Sequence, residues 1–145
     1  MSPFYVLDPE VPGALGENAE LIYRDGTYAL VQRLHFEFGA GRYDDDLFQT
    51  HPVYLVTRPL ADALRRSGLS GFTLDSDIEL TADDNVKELE PDWQIPQAEW
   101  LKVTGTPGSD DLGLTDDARL VVSERALDVL RTGAIDHCDV VLYAD

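Results

Sequence analysis

Apolar positions fall into short runs broken by turn residues, and the clearest such pattern spans Leu120 to Tyr143. Leu120-Val121-Val122 is apolar and mostly β-branched, which suits a buried strand. Ser123 follows where a helix N-cap belongs. Its hydroxyl can accept a free N–H of the first turn, and Glu124 puts negative charge near the positive end of the helix dipole. Ala126, Leu127 and Leu130 share one helical face. Gly133 lies just past the helix, where a left-handed residue costs little. Val140 to Tyr143 then predicts a closing strand.

A similar strand–cap–helix–strand unit stands 66 positions earlier, with Thr57 against Ser123. Leu55-Val56-Thr57 aligns with Val121-Val122-Ser123. Leu60, Ala63 and Leu64 align with Ala126, Val129 and Leu130, Asp62 with Asp128, Arg65 with Arg131, and Leu69 with Ile135. One reading is internal duplication. The other is that any strand–cap–helix unit needs these residue types at these places. The second is preferred, because the chain between the copies shows no matching repeat. In both readings the units are scaffold, and function belongs to the loops.

The remaining elements follow in order. Phe4 to Leu7 predicts a first strand, which Asp8-Pro9-Glu10-Val11-Pro12-Gly13 breaks. Ala19 to Tyr23 predicts a second, and Arg24-Asp25-Gly26-Thr27 a tight turn. Tyr28 to Phe38 is the longest strand candidate. Leu34, Phe36 and Phe38 alternate there with Arg33, His35 and Glu37, so the first set is expected to be buried and the second wet. Gly39 to Asp46 reads as a loop, and His51-Pro52 precedes a strand over Val53 to Val56. A helix from Pro59 to about Ser67 follows, with proline in its first turn. Phe72-Thr73-Leu74 is a strand, reached by a connection just long enough for a parallel crossover, and Ile78-Glu79-Leu80 extends it. Thr81 caps a short helix through Leu89, which Pro91 stops. Trp93, Ile95 and Pro96 form a packed irregular segment, and Trp100 to Thr104 a strand. Strands outnumber helices, and helices sit between strands. The pattern predicts one α+β domain over the 145 residues: a mixed, mainly antiparallel sheet with two or three helices packed on it and two strand–helix–strand units.

Composition changes the picture at one point. Twenty-eight acidic residues against 11 basic ones give a net charge of −17. Such a surface repels nucleic acid and anionic membranes and favours a basic partner or plain solubility. A high-salt source would produce the same surface. Asp75 to Asp92 is the most acidic region, and Gly105 to Asp117 forms a second acidic loop. Cys138 is the single cysteine, so an internal disulfide is excluded and a reducing compartment is expected. The start of the chain has no basic, apolar signal-peptide pattern, and no stretch reaches membrane-spanning length. A cytoplasmic protein is expected.

Candidate chemistry is sparse. His35, His51 and His137 show no metal-ligand spacing. His137 and Cys138 are adjacent on a predicted strand and so point to opposite faces. A structural cysteine is the expected role. Asp44-Asp45-Asp46, Asp110-Asp111 and Asp116-Asp117 have the oxygens a hard cation wants, but lack the calcium-loop pattern, and solvated loops are the simpler reading. There is no phosphate-binding glycine loop and no nucleophile elbow. No catalytic residue, metal or cofactor is expected.

The segments Trp100 to Gly105, Asp110 to Leu114 and Leu120 to Leu127, with the Tyr5-Val6-Leu7-Asp8 start and the His137-Cys138-Asp139 end, resemble small bacterial immunity proteins of polymorphic-toxin and contact-dependent competition systems. The resemblance spans most of the chain and lies mainly in scaffold. It implies a cytoplasmic, non-enzymatic antidote that binds and blocks a cognate protein toxin. An acidic inhibitor would be steered quickly to a basic toxin. The expected contact residues are Asp44, Asp45, Asp46, Asp77, Glu79, Asp83, Asp84, Asp110, Asp111, Asp116 and Asp117. A small carboxylate- or metal-dependent hydrolase and a structural assembly subunit are the alternatives.

Overall fold

The computed structural model describes residues 2–23 and 29–144. The turn expected at Arg24 to Thr27, and Tyr28, lie outside the described residues. The chain has an α+β fold. Its elements run β1 (Phe4–Asp8), β2 (Gly13–Leu15), β3 (Glu20–Ile22), β4 (Leu30–Arg33), β5 (His35–Phe38), β6 (Leu47–Thr50), β7 (Val53–Thr57), α1 (Arg58–Ser67), β8 (Phe72–Asp75), β9 (Glu79–Ala82), α2 (Asp84–Leu89), β10 (Ala98–Val103), β11 (Leu112–Leu114), β12 (Leu120–Ser123), α3 (Glu124–Leu130) and β13 (Asp139–Leu142).

The strands form several sheets instead of one. Two four-stranded sheets have the orders β6-β7-β10-β8 and β11-β12-β1-β13, a smaller one is β2-β5-β9, and β3 pairs with β4. Helices α1 and α3 touch each other and pack on the two larger sheets. One core lies between them, built from Leu7, Tyr54, Val56, Leu60, Leu64, Leu101, Leu120, Val122, Leu127 and Leu130 among others. A second core joins the opposite face of β7 and β10 to β5, through Phe36, Phe38, Phe48, Leu55 and Trp100. The β6-β7-β10-β8 sheet is therefore covered on both faces, which explains why every residue of β7 is buried and why that strand reads as an unbroken apolar run.

The two larger sheets are built alike. In each, a hairpin strand leads into a helix, and the helix returns to a strand two places away, with an antiparallel strand filling the gap. In the first sheet β10 fills it. In the second β1 does, from the start of the chain. The registers correspond residue by residue. Leu101 lies between Tyr54 and Leu74, and Leu7 lies between Leu120 and Val140. The second unit is thus a circular permutation of the first. The fold thus repeats one architecture, and the part of the repeat missing between the copies in sequence sits at β1.

A pair of aspartates ties the units together reciprocally. Asp46 precedes β6. Its carboxylate accepts the Thr57 hydroxyl at 2.7 Å and the Ala134 N–H at 2.6 Å, and its own N–H donates to the Ala134 carbonyl. Asp111 precedes β11. Its carboxylate accepts the Ser123 hydroxyl at 2.7 Å, the Ser70 N–H at 3.0 Å and Arg125 Nη2 at 2.8 Å. Each aspartate thus holds the helix-entry hydroxyl of its own unit and the helix-exit loop of the other. That is the pairing rule of a two-fold interface, here within one chain.

Several local expectations change. Ser123 caps α3 by accepting from Ala126 N, but Thr57 makes no side-chain cap bond; its hydroxyl goes to Asp46 instead. The cap of the short helix α2 is Asp83, which accepts from Val86 N, whereas Thr81 lies in β9. Residues 79–82 do not extend β8 but pair in parallel with β5. Gly68 takes the left-handed conformation after α1, with φ 72°. Gly133 has no such role. A side chain there would press on Asp46, whose Oδ2 lies 3.0 Å from the place of a Cβ. The expected long strand up to Phe38 is broken at Leu34, β11 falls in a segment read as loop, and β2 and β6 fall largely where no element was read. The connection from β7 to β8 is a crossover between mutually parallel strands, with β10 between them.

Removing either clamp exposes a cap and an exit loop at once. Asp46→Ala and Asp111→Ala are each expected to lower the unfolding free energy by about 2–3 kcal/mol, and Ser123→Ala by about 1 kcal/mol. In denaturant titrations the double variant Asp111→Ala/Ser123→Ala should lose less than the sum of the singles, since both remove one shared bond. Strict additivity would show that the bond is not shared support.

Candidate functional site

The loop of residues 39–46 leaves β5 and enters β6, and it gathers most of the charged and aromatic side chains that meet in one place. Glu10 holds it from below. Its two carboxylate oxygens each accept a backbone N–H, from Tyr43 and from Asp45, both at 2.9 Å. Arg42 is almost fully buried, with its side chain 2% exposed. It lies 3.5 Å over the Trp93 ring, pairs with both oxygens of Glu90 at 2.9 Å, and donates to Asp44 and to the Gly39 carbonyl. All of its donor faces are engaged, so it locks the loop to the segment after α2. Trp93 Nε1 also donates to Asp44.

His137 comes to the same loop from the other end of the chain. Its backbone N–H donates to Asp45 Oδ2 at 2.7 Å, and its Nδ1 lies 3.1 Å from Asp45 Oδ1. Asp45 is only 5% exposed. A buried carboxylate this close fixes Nδ1 as the protonated nitrogen. Tyr43 stacks on the imidazole at 3.7 Å, nearly parallel. A shallow cleft of about 450 Å³ opens beside them, lined by Glu10, Pro12, Gly39, Arg42, Tyr43 and His137 among others.

Three other titratable groups are drawn inward. His35 was expected on a wet face but is 4% exposed, because the chain leaving β2 lies against its ring, so close that a Cβ on Gly16 would clash with the imidazole. Its Nδ1 accepts the Asn18 N–H, so Nε2 carries the proton and donates to Thr81 Oγ1 at 2.7 Å. This is a structural histidine. Cys138 packs against the main core, and burial pushes its thiol up to about 11. Glu99, 1% exposed, is paired by Arg58 and Arg65 of α1. Among the described residues, no three His, Cys, Asp or Glu side chains are grouped to hold a metal ion.

The structure scatters the acidic residues singled out in the sequence and gives them different tasks. Asp45 is buried against His137, and Asp46 and Asp111 are the clamps described above, so these three carboxylates face internal partners. Asp83 caps α2. Asp110 accepts the Thr106 N–H at 2.8 Å. Glu79 accepts from Asn18 and lies 3.9 Å from His35. Asp44 is exposed but bonded to Arg42 and Trp93. Asp77, Asp84, Asp116 and Asp117 are exposed, the last paired with Thr115 and Arg119. Sequence reasoning missed Glu10 and His137 as partners of the loop, since nothing local announces a contact across the whole chain.

A second cleft, of about 410 Å³, is lined by Asp8, His51, Tyr54, Asp117, Arg119, Asp139 and Val141, with Val6, Leu7, Gln49 and Ala118 completing it. Tyr54 lies at its base, and burial raises its phenol to about 12. The Tyr54 hydroxyl donates to the Ala118 carbonyl and accepts the Leu120 N–H.

Two expectations follow from these environments. Burial pushes the Asp111 carboxyl up, but Arg125, Ser123 and the Ser70 N–H outweigh it and hold it below the ordinary range. Lys102 and the Asp77 N–H do the same for Asp75. A folded pKa below the unfolded one adds stability above the unfolded value, near pH 4, and that stability is lost as pH falls through the folded value. Acid unfolding followed by circular dichroism should therefore be less steep in Asp111→Asn than in the parent. The raised Cys138 thiol predicts alkylation at pH 8 about 100-fold slower than that of a free thiol; a rate equal to free cysteine would contradict its burial. No family model, curated protein or solved structure matches this chain.

Proposed function

We propose that this chain is a non-enzymatic immunity protein that binds a cognate bacterial toxin and neutralises it through an acidic surface, as the sequence resemblance implies. The observation that carries the reading is how the polar groups are divided. Three groups with nucleophilic or acid–base chemistry are engaged internally: Cys138 is packed with its thiol pushed up, His35 is buried, and His137 is held by Asp45 under Tyr43. Carboxylates at Asp77, Asp84, Asp116 and Asp117 are left on the outside, on a chain of net charge −17. A surface of this kind attracts a basic protein over distances set by the Debye length. Among the described residues no helix is long and apolar enough to cross a membrane.

Co-expression with the toxin encoded beside it should relieve toxicity and yield a stable complex. Reversing Asp84, Asp116 and Asp117 to lysine together should slow association about tenfold or more at low salt, with the difference fading at high salt. Association rates from stopped-flow fluorescence would show this. Unprotected cells and no complex would remove the reading. A rate indifferent to both charge reversal and salt would remove the electrostatic part of it.

A further inference from the structure

We infer that the open edge of β13 is a docking line for an extended, basic segment of a protein partner, which adds to the β11-β12-β1-β13 sheet as a further strand. This rests on the protein-binding reading only for the partner's identity.

The backbone is available. Among the described residues β13 ends its sheet and pairs with β1 alone. Tyr143 N donates to the Phe4 carbonyl, so Tyr143 and, by the alternation of an antiparallel ladder, Val141 and Asp139 turn their N–H groups toward β1. Val140 and Leu142 turn theirs outward. The side chains are apolar and bare. Val141 is 58% exposed and Leu142 66%, and as neighbours on a strand they lie on opposite faces.

The other unit supplies an internal control. β8 holds the same place beside β10 that β13 holds beside β1. Register sets Asp75 against Val141 and Leu74 against Val140. Asp75 is paired with Lys102 at 2.8 Å, and no large apolar side chain of β8 is exposed. One edge of the same architecture is dressed for water, and the other is not. An edge with exposed apolar side chains, even one of four residues, can pair with an added strand unless something covers it.

Charge names the occupant. Asp8 and Asp139 stand directly opposite each other in the β1–β13 ladder, where the first sheet has Lys102 opposite Thr73. Like charges placed so are destabilising. Among the described residues no cation lies within ion-pairing distance of either carboxylate; the one hydrogen bond to them is from Gln49 Nε2 to Asp8, at 2.7 Å. Asp117 lines the same cleft, paired with Arg119. A strand carrying Lys or Arg at one position and valine- or leucine-sized side chains beside it would relieve the repulsion and cover Val141 and Leu142. A second copy of the chain would bring another 17 negative charges to the same line.

The test uses a fluorescent peptide of alternating valine and lysine in place of a toxin, so that failure here leaves the toxin-binding reading standing. Fluorescence anisotropy should show binding to the parent. Leu142→Pro removes an outward N–H and no ladder bond, as edge prolines do. It should weaken binding about tenfold or more, against about threefold for Leu142→Ala, which loses the side chain alone. A valine–glutamate peptide should not bind. Amide exchange at Val140 and Leu142 should slow in the parent complex, and this reading decides the matter if Leu142→Pro fails to fold. Equal affinity for the two Leu142 variants, equal binding of the acidic peptide, or unchanged exchange at those amides would overturn the inference. So would a dimer of the parent that Leu142→Ala leaves intact and Leu142→Pro abolishes, which would place a second copy on this edge.

Discussion

The fold depends on one bond made twice, that between an aspartate at the start of a hairpin and the hydroxyl at the entrance of the following helix. Asp46 with Thr57 and Asp111 with Ser123 fix where each helix begins relative to its own sheet. The second oxygen of each carboxylate reaches the exit loop of the opposite helix, at Ala134 and at Ser70. A short helix has little stability of its own and relies on packing and caps. Seven residues of α3 and ten of α1 are placed by these contacts, and the main core closes between them. Because each clamp crosses to the other unit, neither unit is complete without its partner.

Much of this was legible and some was hidden, for physical reasons. Local periodicity gave both strand–cap–helix units, since an apolar triplet, a hydroxyl and a helical face are all nearest-neighbour signals. The relation between the units was obscured because the strand equivalent to β10 is β1, at the opposite end of the chain, where no search between the copies would meet it. Asp45-Asp46-Leu47 and Asp110-Asp111-Leu112 stand shortly before Thr57 and Ser123. That shared pattern was available, but paired aspartates in a polar segment read as solvated loop. His35 was misplaced because alternation assumes one wet face, and the segment after β2 covers that face at the imidazole, through Gly16 and Asn18. The loop of residues 39–46 was located, but its partners Glu10, Trp93 and His137 lie far off in sequence, and only the fold brings them to it.

The same division explains the acidic character. A net charge of −17 invites the idea that every carboxylate is surface, yet several hold the structure together. Asp45, Asp46, Asp83 and Asp111 each accept a backbone N–H, and the buried Glu99 carboxylate, costly if left unpaired, is held by Arg58 and Arg65. Removing these from consideration sharpens the rest. What remains outside is a smaller set of carboxylates without internal duties, and their placement carries information that the total charge does not.

An internal repeat makes that placement interpretable. When two units share an architecture, the features they share are what the architecture needs, and the features in which they differ are free to serve something else. Both units keep the clamp, the hydroxyl, the buried helix face and the filled sheet. They differ at the outer strand. β8 carries a charge matched by Lys102, and β13 carries exposed Val141 and Leu142 beside the opposed pair Asp8 and Asp139. Stability gains nothing from bare apolar groups, and facing like charges cost free energy in the isolated chain. Their coincidence on one strand, against a quiet counterpart on the other, is what a surface shaped by a basic partner would look like before the partner arrives.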